Sequence, residues 1–306
     1  INLIFFLPTF SFGGAGNSEY RLCKNLSHKR YKINIISIGK CDYKKEFSKF
    51  CENIYELKTK RTLFSIAKIQ EITLKVYKQN PNKTIFISGH HYANVISIIA
   101  LKSYKFVKTV IVERTDIEEL KIYYNFKIFI KNLIIYCLVL FYYKKADAIV
   151  TNSKRAKLDL QKIYKKKIIN INPPSLIKLI KEKVKKRKRK NYTVLTVGRL
   201  VKEKGIDTMI KAFKEIKLKN VILKVVGDGK ERKNLEKMIE SFGLEKKVFL
   251  LGQIKNPNNI YLNSDLFINA SHFEGFPNSI VEAINFNLPT ICSDCKGGTR
   301  EIILNG

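Results

Sequence analysis

With 306 residues, 45% of them hydrophobic, the chain can build one large core or two ordinary ones, and its length favours two domains over a small disulfide-held scaffold. Lys and Arg number 58 against 26 Asp and Glu, a formal charge of +32 that either calls for anionic partners or reflects A/T-rich codons, since Ile, Asn and Lys all abound. The six cysteines (Cys23, Cys41, Cys51, Cys137, Cys292 and Cys295) are too dispersed for a disulfide framework and fit a reducing cytoplasm.

The first apolar run, Leu3–Leu7, is too short for a signal peptide, lacks a cleavage-like site, and reads as a buried strand. Gly13-Gly14-Ala15 follows, where a first strand-to-helix turn would fall. Further runs of strand character are Ile33–Ile38, Thr84–Ser88, Thr109–Glu113 and Ala148–Thr151, with helical patterns between them. Ser88-Gly89-His90-His91 ends one strand and Glu113-Arg114-Thr115-Asp116 the next. A histidine beside a strand end is more often structural than chemical, so none of these residues is given a role. The most membrane-like stretch, Ile134–Tyr143, is ten residues closed off by Lys144 and Lys145, short of the ~20 that cross a bilayer. It is expected as a helix buried against a sheet. The alternative is a helix lying at a membrane surface, with Lys127 and Lys131 meeting anionic lipid.

A composition break follows. Pro173-Pro174 stops regular structure, and between Lys178 and Lys190 nine of thirteen residues are Lys or Arg. This reads as a solvated, self-repelling linker, with a phosphate- or lipid-attracting patch as the alternative. The expected organisation is a first domain over 1–174, a basic linker over 175–190 and a second domain over 191–306.

In the second domain, strand patterns fall at Thr193–Val197, Ile222–Val226, Val248–Leu251, Leu266–Asn269 and Thr290–Ser293. The apolar positions Ile206, Met209, Ile210, Phe213 and Ile216 form a stripe of helical period after Gly205. Continuous apolar strands alternating with helices predict parallel sheets covered on both faces, an α/β class of two Rossmann-like doubly wound domains. Gly198-Arg199, Lys204 and Gly205 lie between a strand's carboxyl end and a helix start, where an anion such as a diphosphate would bind. Glu274 sits in a Gly/Pro loop with Gly275, Phe276 and Pro277, and a helical pattern begins near Asn278 and carries Ser279, Ile280 and Glu282. The two carboxylates, seven residues apart in the intervening count, can hold hydroxyls at two ends of a ligand. Backbone amides of Asn278, Ser279 and Ile280 would face a phosphate between them. The structural alternative is that Asn278 caps the helix and both acids face solvent.

At these residues the sequence resembles the retaining glycosyltransferases of family 4, also called group 1, which have the two-domain GT-B fold. The matching pieces are Glu274-Gly275-Phe276-Pro277 through Glu282, Gly198-Arg199 with Lys204-Gly205, Val226-Gly227-Asp228-Gly229, Ala146-Asp147 through Ser153, Gly13-Gly14-Ala15, and Leu288-Pro289-Thr290 through Gly297-Gly298 and Glu301. The resemblance implies two domains facing a cleft, with the second ending at Gly306 before the family pattern is complete. It implies that Arg199 and Lys204 neutralise a donor diphosphate, that Glu274 and the backbone after it hold the sugar hydroxyls as the candidate catalytic group, and that Glu282 holds the ribose. Gly13 and Gly14 would let backbone approach the donor. The implied reaction is retaining transfer of a sugar from a nucleoside-diphosphate donor, UDP-linked by preference, to a glycan or lipid-linked acceptor in envelope polysaccharide assembly.

The chain carries no Asp-x-Asp, so metal-independent transfer is expected, and no cofactor is implied. Many relatives carry Glu where this chain has Gly16, and many a histidine near the reacting carbon. Cys292-Ser293-Asp294-Cys295 has metal or redox spacing without a second ligand pair and reads as two ordinary thiols. The expected setting is cytoplasmic, with an anionic membrane surface as a further partner. Competing readings are a basic nucleic-acid or membrane-binding module on the same scaffold, and a sugar-nucleotide epimerase. Against a nucleic-acid partner, charge from Ile254 onward is modest, Lys255, Lys296 and Arg300 against Asp265, Glu274, Glu282, Asp294 and Glu301, and no aromatic-interleaved RNA motif appears.

Overall fold

The computed structural model describes residues 1–11, 13–59, 61–115, 117–121, 126–176, 179–180, 191–295 and 297–303. The chain divides into two units, Ile1–Pro174 and Ser175–Gly306. Most of the basic run at 178–190 lies outside the described residues.

In the first unit the strands are β1 (Asn2–Leu7), β2 (Lys32–Ser37), β3 (Asn53–Glu56), β4 (Thr84–Gly89), β5 (Val107–Glu113), β6 (Ala148–Thr151) and β7 (Ile168–Asn170). The helices are α1 (Gly14–Asn25), α2 (Lys44–Phe47), α3 (Ile66–Gln79), α4 (His91–Leu101), α5 (Phe126–Tyr142) and α6 (Lys154–Ile163). The strands form one parallel seven-stranded sheet in the order β3-β2-β1-β4-β5-β6-β7. All six residues of β1 are buried, because each strand of such a sheet is covered on both faces. The period of two assigns Ile4 and Phe6 to one core, with Ile36, Phe86 and Ala93, and Leu3, Phe5 and Leu7 to the other, with Ile33 and Ile35. The edge strands β3 and β7 are additions to the sequence reading; each is short, and β3 has only two apolar residues.

The second unit holds β8 (Tyr192–Val197), β9 (Val221–Val226), β10 (Val248–Leu250), β11 (Leu266–Asn269) and β12 (Thr290–Cys292). Its helices are α7 (Ile206–Glu215), α8 (Arg232–Ser241), α9 (Asn258–Leu262), α10 (Asn278–Asn285) and α11 (Thr299–Ile303). The sheet is again parallel, in the order β10-β9-β8-β11-β12. Val194 faces a core with Ile206, Met209, Ile210 and Phe213 of α7, and Leu195 faces the other with Tyr261, Ile280 and Ala283. Four residues of the stripe read from the sequence are thus the buried face of α7, and the fifth, Ile216, caps the helix and packs half-buried beside them.

One expectation is corrected. The apolar run around Ile134 is not a helix buried against a sheet. It is part of α5, 17 residues long, whose one fully buried residue is Val139. With the turn that follows, Phe126–Lys145 is also long and apolar enough to cross a membrane by length and composition, where the sequence reading stopped at ten residues.

Candidate active site

In the second unit the chain adds β9 and β10 on one side of β8, then returns to add β11 and β12 on the other. The carboxyl ends of β8 and β11 therefore mark the sheet's topological switch point, the place where open parallel sheets bind ligands. The loops that leave these ends carry the residues singled out above. The β8 loop runs Gly198, Arg199, Leu200, then a short 3-10 turn at Lys202–Lys204 and Gly205. Gly205 has φ +60, and a Cβ there would lie 2.1 Å from the Ala270 carbonyl oxygen, so the β8 loop is pressed on the β11 loop where only glycine fits. The His272 amide donates to the Glu203 carbonyl at 2.8 Å and joins the loops again.

This clamping brings Lys204 to Glu274. Lys204 Nζ donates to Glu274 Oε1 at 2.5 Å, while the lysine stem lies beside Gly198. The same carboxylate oxygen accepts from Ser271 Oγ at 2.7 Å and from Asn269 Nδ2 at 3.2 Å. Glu274 is buried, with its charge matched by one cation and two neutral donors. From the other side, Gly297 and Gly298 press on the same turn. A Cβ at Gly297, whose φ is +123, would stand 1.6 Å from the Glu274 carbonyl oxygen, and the Gly298 amide donates to the Gly275 carbonyl at 2.9 Å. Three loop segments thus hold one carboxylate at the sheet's switch point.

The chain turns through Phe276 and the buried Pro277 into α10. Asn278 is not the cap of that helix. It is its first residue, and its Oδ1 accepts from Ser175 Oγ at 2.6 Å. The Ile280 amide donates to the Pro277 carbonyl at 3.1 Å, which removes it from the amides a phosphate could use. Ser279 and Glu282 are half-buried. Glu282 Oε2 accepts from the hydroxyl of Tyr261 at 3.0 Å, and that buried ring stacks on Phe286 with centroids 5.2 Å apart. Arg199 is exposed and makes no ion pair among the described residues. Cys292 and Cys295 are free thiols; burial pushes the Cys292 thiol up to about 11, far from a reactive thiolate.

In the first unit the switch point lies between β1 and β4. Gly14 begins α1 there and Gly13 precedes it in extended backbone, with open space where a Cβ would stand. The packing demand falls on Gly16 instead, whose Cβ would lie 2.1 Å from the Ser11 carbonyl oxygen. The residues after β4 and β5, left without a role above, form a buried polar cluster. His91 Nδ1 pairs with Glu113 Oε2 at 2.9 Å, Tyr143 donates to that same oxygen at 2.5 Å, and His91 Nε2 meets Thr115 Oγ1 at 3.0 Å. Burial works to raise the Glu113 carboxyl, but the His91 ring, the Tyr143 hydroxyl and the Arg114 amide hold it below the usual carboxylate range. Arg114 forms an ion pair with the buried Glu19 of α1, and burial pushes its guanidinium down to about 10. His90, at φ +86, carries backbone strain of about 1–3 kcal/mol. The strand ends flag His91, Glu113 and Arg114 in the sequence, but not Tyr143 and Glu19, the partners that lie elsewhere in the chain.

Comparison with known proteins bears on both units. The sequence model of the family described as Glycosyl transferases group 1 matches residues 178–306. An uncharacterized glycosyltransferase of Methanocaldococcus jannaschii is 30% identical over 296 residues, which span 90% of this chain and 72% of that protein. The chain belongs to the group 1 glycosyl transferases. Another relative, the N-acetylgalactosamine-N,N'-diacetylbacillosaminyl-diphospho-undecaprenol 4-alpha-N-acetylgalactosaminyltransferase of Campylobacter jejuni, is 34% identical over 164 residues, 52% of this chain and 45% of the relative. Among solved structures, Anabaena Alr3699/HepE in complex with UDP-glucose aligns with 98% of this chain and 82% of its own at a TM-score of 0.76 and 18% identity. The lipopolysaccharide glycosyltransferase WaaG aligns with 98% of this chain and 83% of its own at 0.72 and 17%. The two parallel α/β sheets are those of the GT-B glycosyltransferase fold.

Proposed function

We propose that this chain transfers a sugar, with retention and without a bound metal, from a nucleoside-diphosphate sugar to a glycan or lipid-linked acceptor in envelope polysaccharide assembly on the cytoplasmic side of the membrane. The observation that carries the reading is the meeting of Lys204 and Glu274 at the carboxyl ends of β8 and β11, with Glu282 following on α10. The buried carboxylate, the cation and the second carboxylate supply groups for the sugar, the diphosphate and the ribose of one extended donor. UDP is the preferred nucleotide because a solved structure of this fold holds UDP-glucose. A lipid-linked acceptor has its precedent in the Campylobacter relative, whose name specifies a diphospho-undecaprenol substrate.

In the proposed reaction the bond between the sugar's anomeric carbon and the donor's terminal phosphate oxygen breaks as charge grows on the diphosphate. Lys204 and the exposed Arg199 stabilise that charge, the main electrostatic task of the step. Glu274 and the backbone of Gly275, Phe276 and Pro277 hold the sugar hydroxyls; Glu282, steadied by Tyr261, holds the ribose. The Ser279 amide at the start of α10, next to Asn278, favours phosphate. The acceptor hydroxyl attacks the same face through an oxocarbenium-like state, and its proton passes to the departing phosphate oxygen. The products are a glycoside and a nucleoside diphosphate. Among the described residues no packing contact explains glycine at position 13, so that position and Gly14 are assigned to donor approach through the backbone.

Thermal-shift titration with UDP, GDP and ADP tests the site. UDP should stabilise the chain, and the shift should vanish in Arg199→Ala and Glu282→Ala. Stabilisation retained in both variants overturns the assignment. Product analysis with UDP-sugars and the retained anomer of the product then test the donor and stereochemistry.

A further inference from the structure

The surface of α5 is unlike that of the other helices of its unit. Its inner face is anchored: Val139 is buried with Ile135 and Tyr136 packed beside it, Tyr164 donates to the Val139 carbonyl at 2.8 Å, and Tyr143 just beyond the helix donates to Glu113. Its outer face is apolar too. Phe126, Ile130, Leu133, Ile134, Leu138 and Phe141 recur at helical spacing on one stripe, and Phe126, Ile134 and Phe141 are 69%, 56% and 52% exposed. A stripe of this size facing water marks an interaction surface.

The charges around it identify the partner. Helix α5 contains Lys127 and Lys131 and no acidic residue, both lysines are exposed, and Lys144 and Lys145 follow at its carboxyl end. Lys145 Nζ lies 4.3 Å from the centre of the exposed Phe141 ring, so cation and apolar surface are presented together. A second copy docked face to face would set lysines against lysines in a chain already at +32. An anionic bilayer satisfies both features: acyl chains take the stripe and head groups the lysines. A spanning helix would tear Tyr143 from Glu113 and Val139 from its core. We propose that the outer face of α5 rests on an anionic lipid surface and makes this chain a peripheral membrane protein. Its purpose rests on the lipid-linked acceptor proposed above, but its occurrence does not.

The test uses the full chain with phosphatidylglycerol–phosphatidylcholine vesicles, without donor or acceptor, so it fails or succeeds independently of glycosyl transfer. The chain has no tryptophan, so Ile134→Trp supplies a single reporter. Its emission should shift to the blue with anionic vesicles and be quenched by brominated acyl chains, while Leu158→Trp, on the exposed surface of α6, should do neither. In sedimentation with vesicles, Ile134→Ser/Leu138→Ser should weaken binding at least about tenfold. Lys127→Gln/Lys131→Gln should weaken it about fivefold per lysine. Both pairs are exposed, so unchanged thermal midpoints confirm folding. Equal binding by the serine variant, no blue shift at position 134, or a dimer dissolved by the serine substitutions without vesicle binding would each overturn the proposal.

Discussion

Replacing Lys204 by Met separates the structural work of the Lys204–Glu274 pair from its chemical work. Glu274 is buried and Lys204 keeps about a fifth of its side-chain surface in water, 22% against 6% for its partner. Losing one member of a fully buried pair costs about 3–5 kcal/mol, and the partial exposure of Lys204 places this case near 2–3 kcal/mol. Ser271 and Asn269 still donate to the stranded carboxylate, which keeps the cost from rising further. At roughly 3 °C per kcal/mol for a unit of this size, the midpoint should fall by about 6–9 °C. Adding Glu274→Gln removes the unpaired charge while leaving an acceptor for Ser271, so the double variant should recover about half of that loss. Nucleotide affinity should not recover, because the cation meeting the phosphates is still missing. Scanning calorimetry of the four members of the cycle, with and without UDP, checks both statements. A coupling below about 0.5 kcal/mol would refute the stability argument, and UDP binding restored in the double variant would refute the role given to Lys204.

Gly297→Ala should destabilise the second unit by about 3 kcal/mol or more and abolish the UDP-induced shift, since its Cβ would stand 1.6 Å from the Glu274 carbonyl oxygen at a φ of +123; chemical denaturation reads the first effect directly. Tyr261→Phe removes one donor to the half-buried Glu282, where water can substitute, so the donor KM should rise several-fold with kcat nearly unchanged in steady-state assays. Glu113 has its folded-state pKa lowered, so its contribution is complete above the ordinary carboxylate range, about pH 4, and is lost as pH falls through the folded value. Glu113→Gln should therefore be less stable than the parent near neutrality, and the gap in thermal midpoint should close with acidification; a gap that widens would contradict this sign. Metal-independent transfer predicts that product formation persists in excess chelator, and loss reversed by magnesium or manganese would count against it.

The helix stripe of Ile206, Met209, Ile210 and Phe213 was legible because one of its faces is core, and the ten strand patterns because each strand sets apolar residues against a core. The β3 and β7 edges escaped notice because an edge strand needs little apolar sequence. Periodicity says that a side is apolar, not what covers it. That is why α5, apolar nearly all round, read as a buried helix when only one side of it is packed. Within the candidate site, Glu274, Glu282 and Lys204 were visible as residue types in a pattern. The Tyr261 hydroxyl that meets Glu282 was not, because it carries no pattern of its own until the strand order brings it close, and Ser271 and Asn269 reach Glu274 only through the turn of the loop after β11.

Position 16 carries the same lesson further. This residue, just after the Gly-Gly-Ala turn, is glycine, and the 2.1 Å approach of a Cβ to the Ser11 carbonyl oxygen shows that the turn itself requires it. An acid is present one helical turn later. Glu19 lies three residues on, on the same side of α1, and pairs with Arg114 from the loop after β5. Those two residues are 95 apart in the chain and meet only because β4 is inserted between β1 and β5. A carboxylate thus remains at the carboxyl edge of the first sheet, but it is spent on a buried cation. Glu19→Gln should therefore act through Arg114, lowering the stability of the first unit while leaving nucleotide affinity near that of the parent.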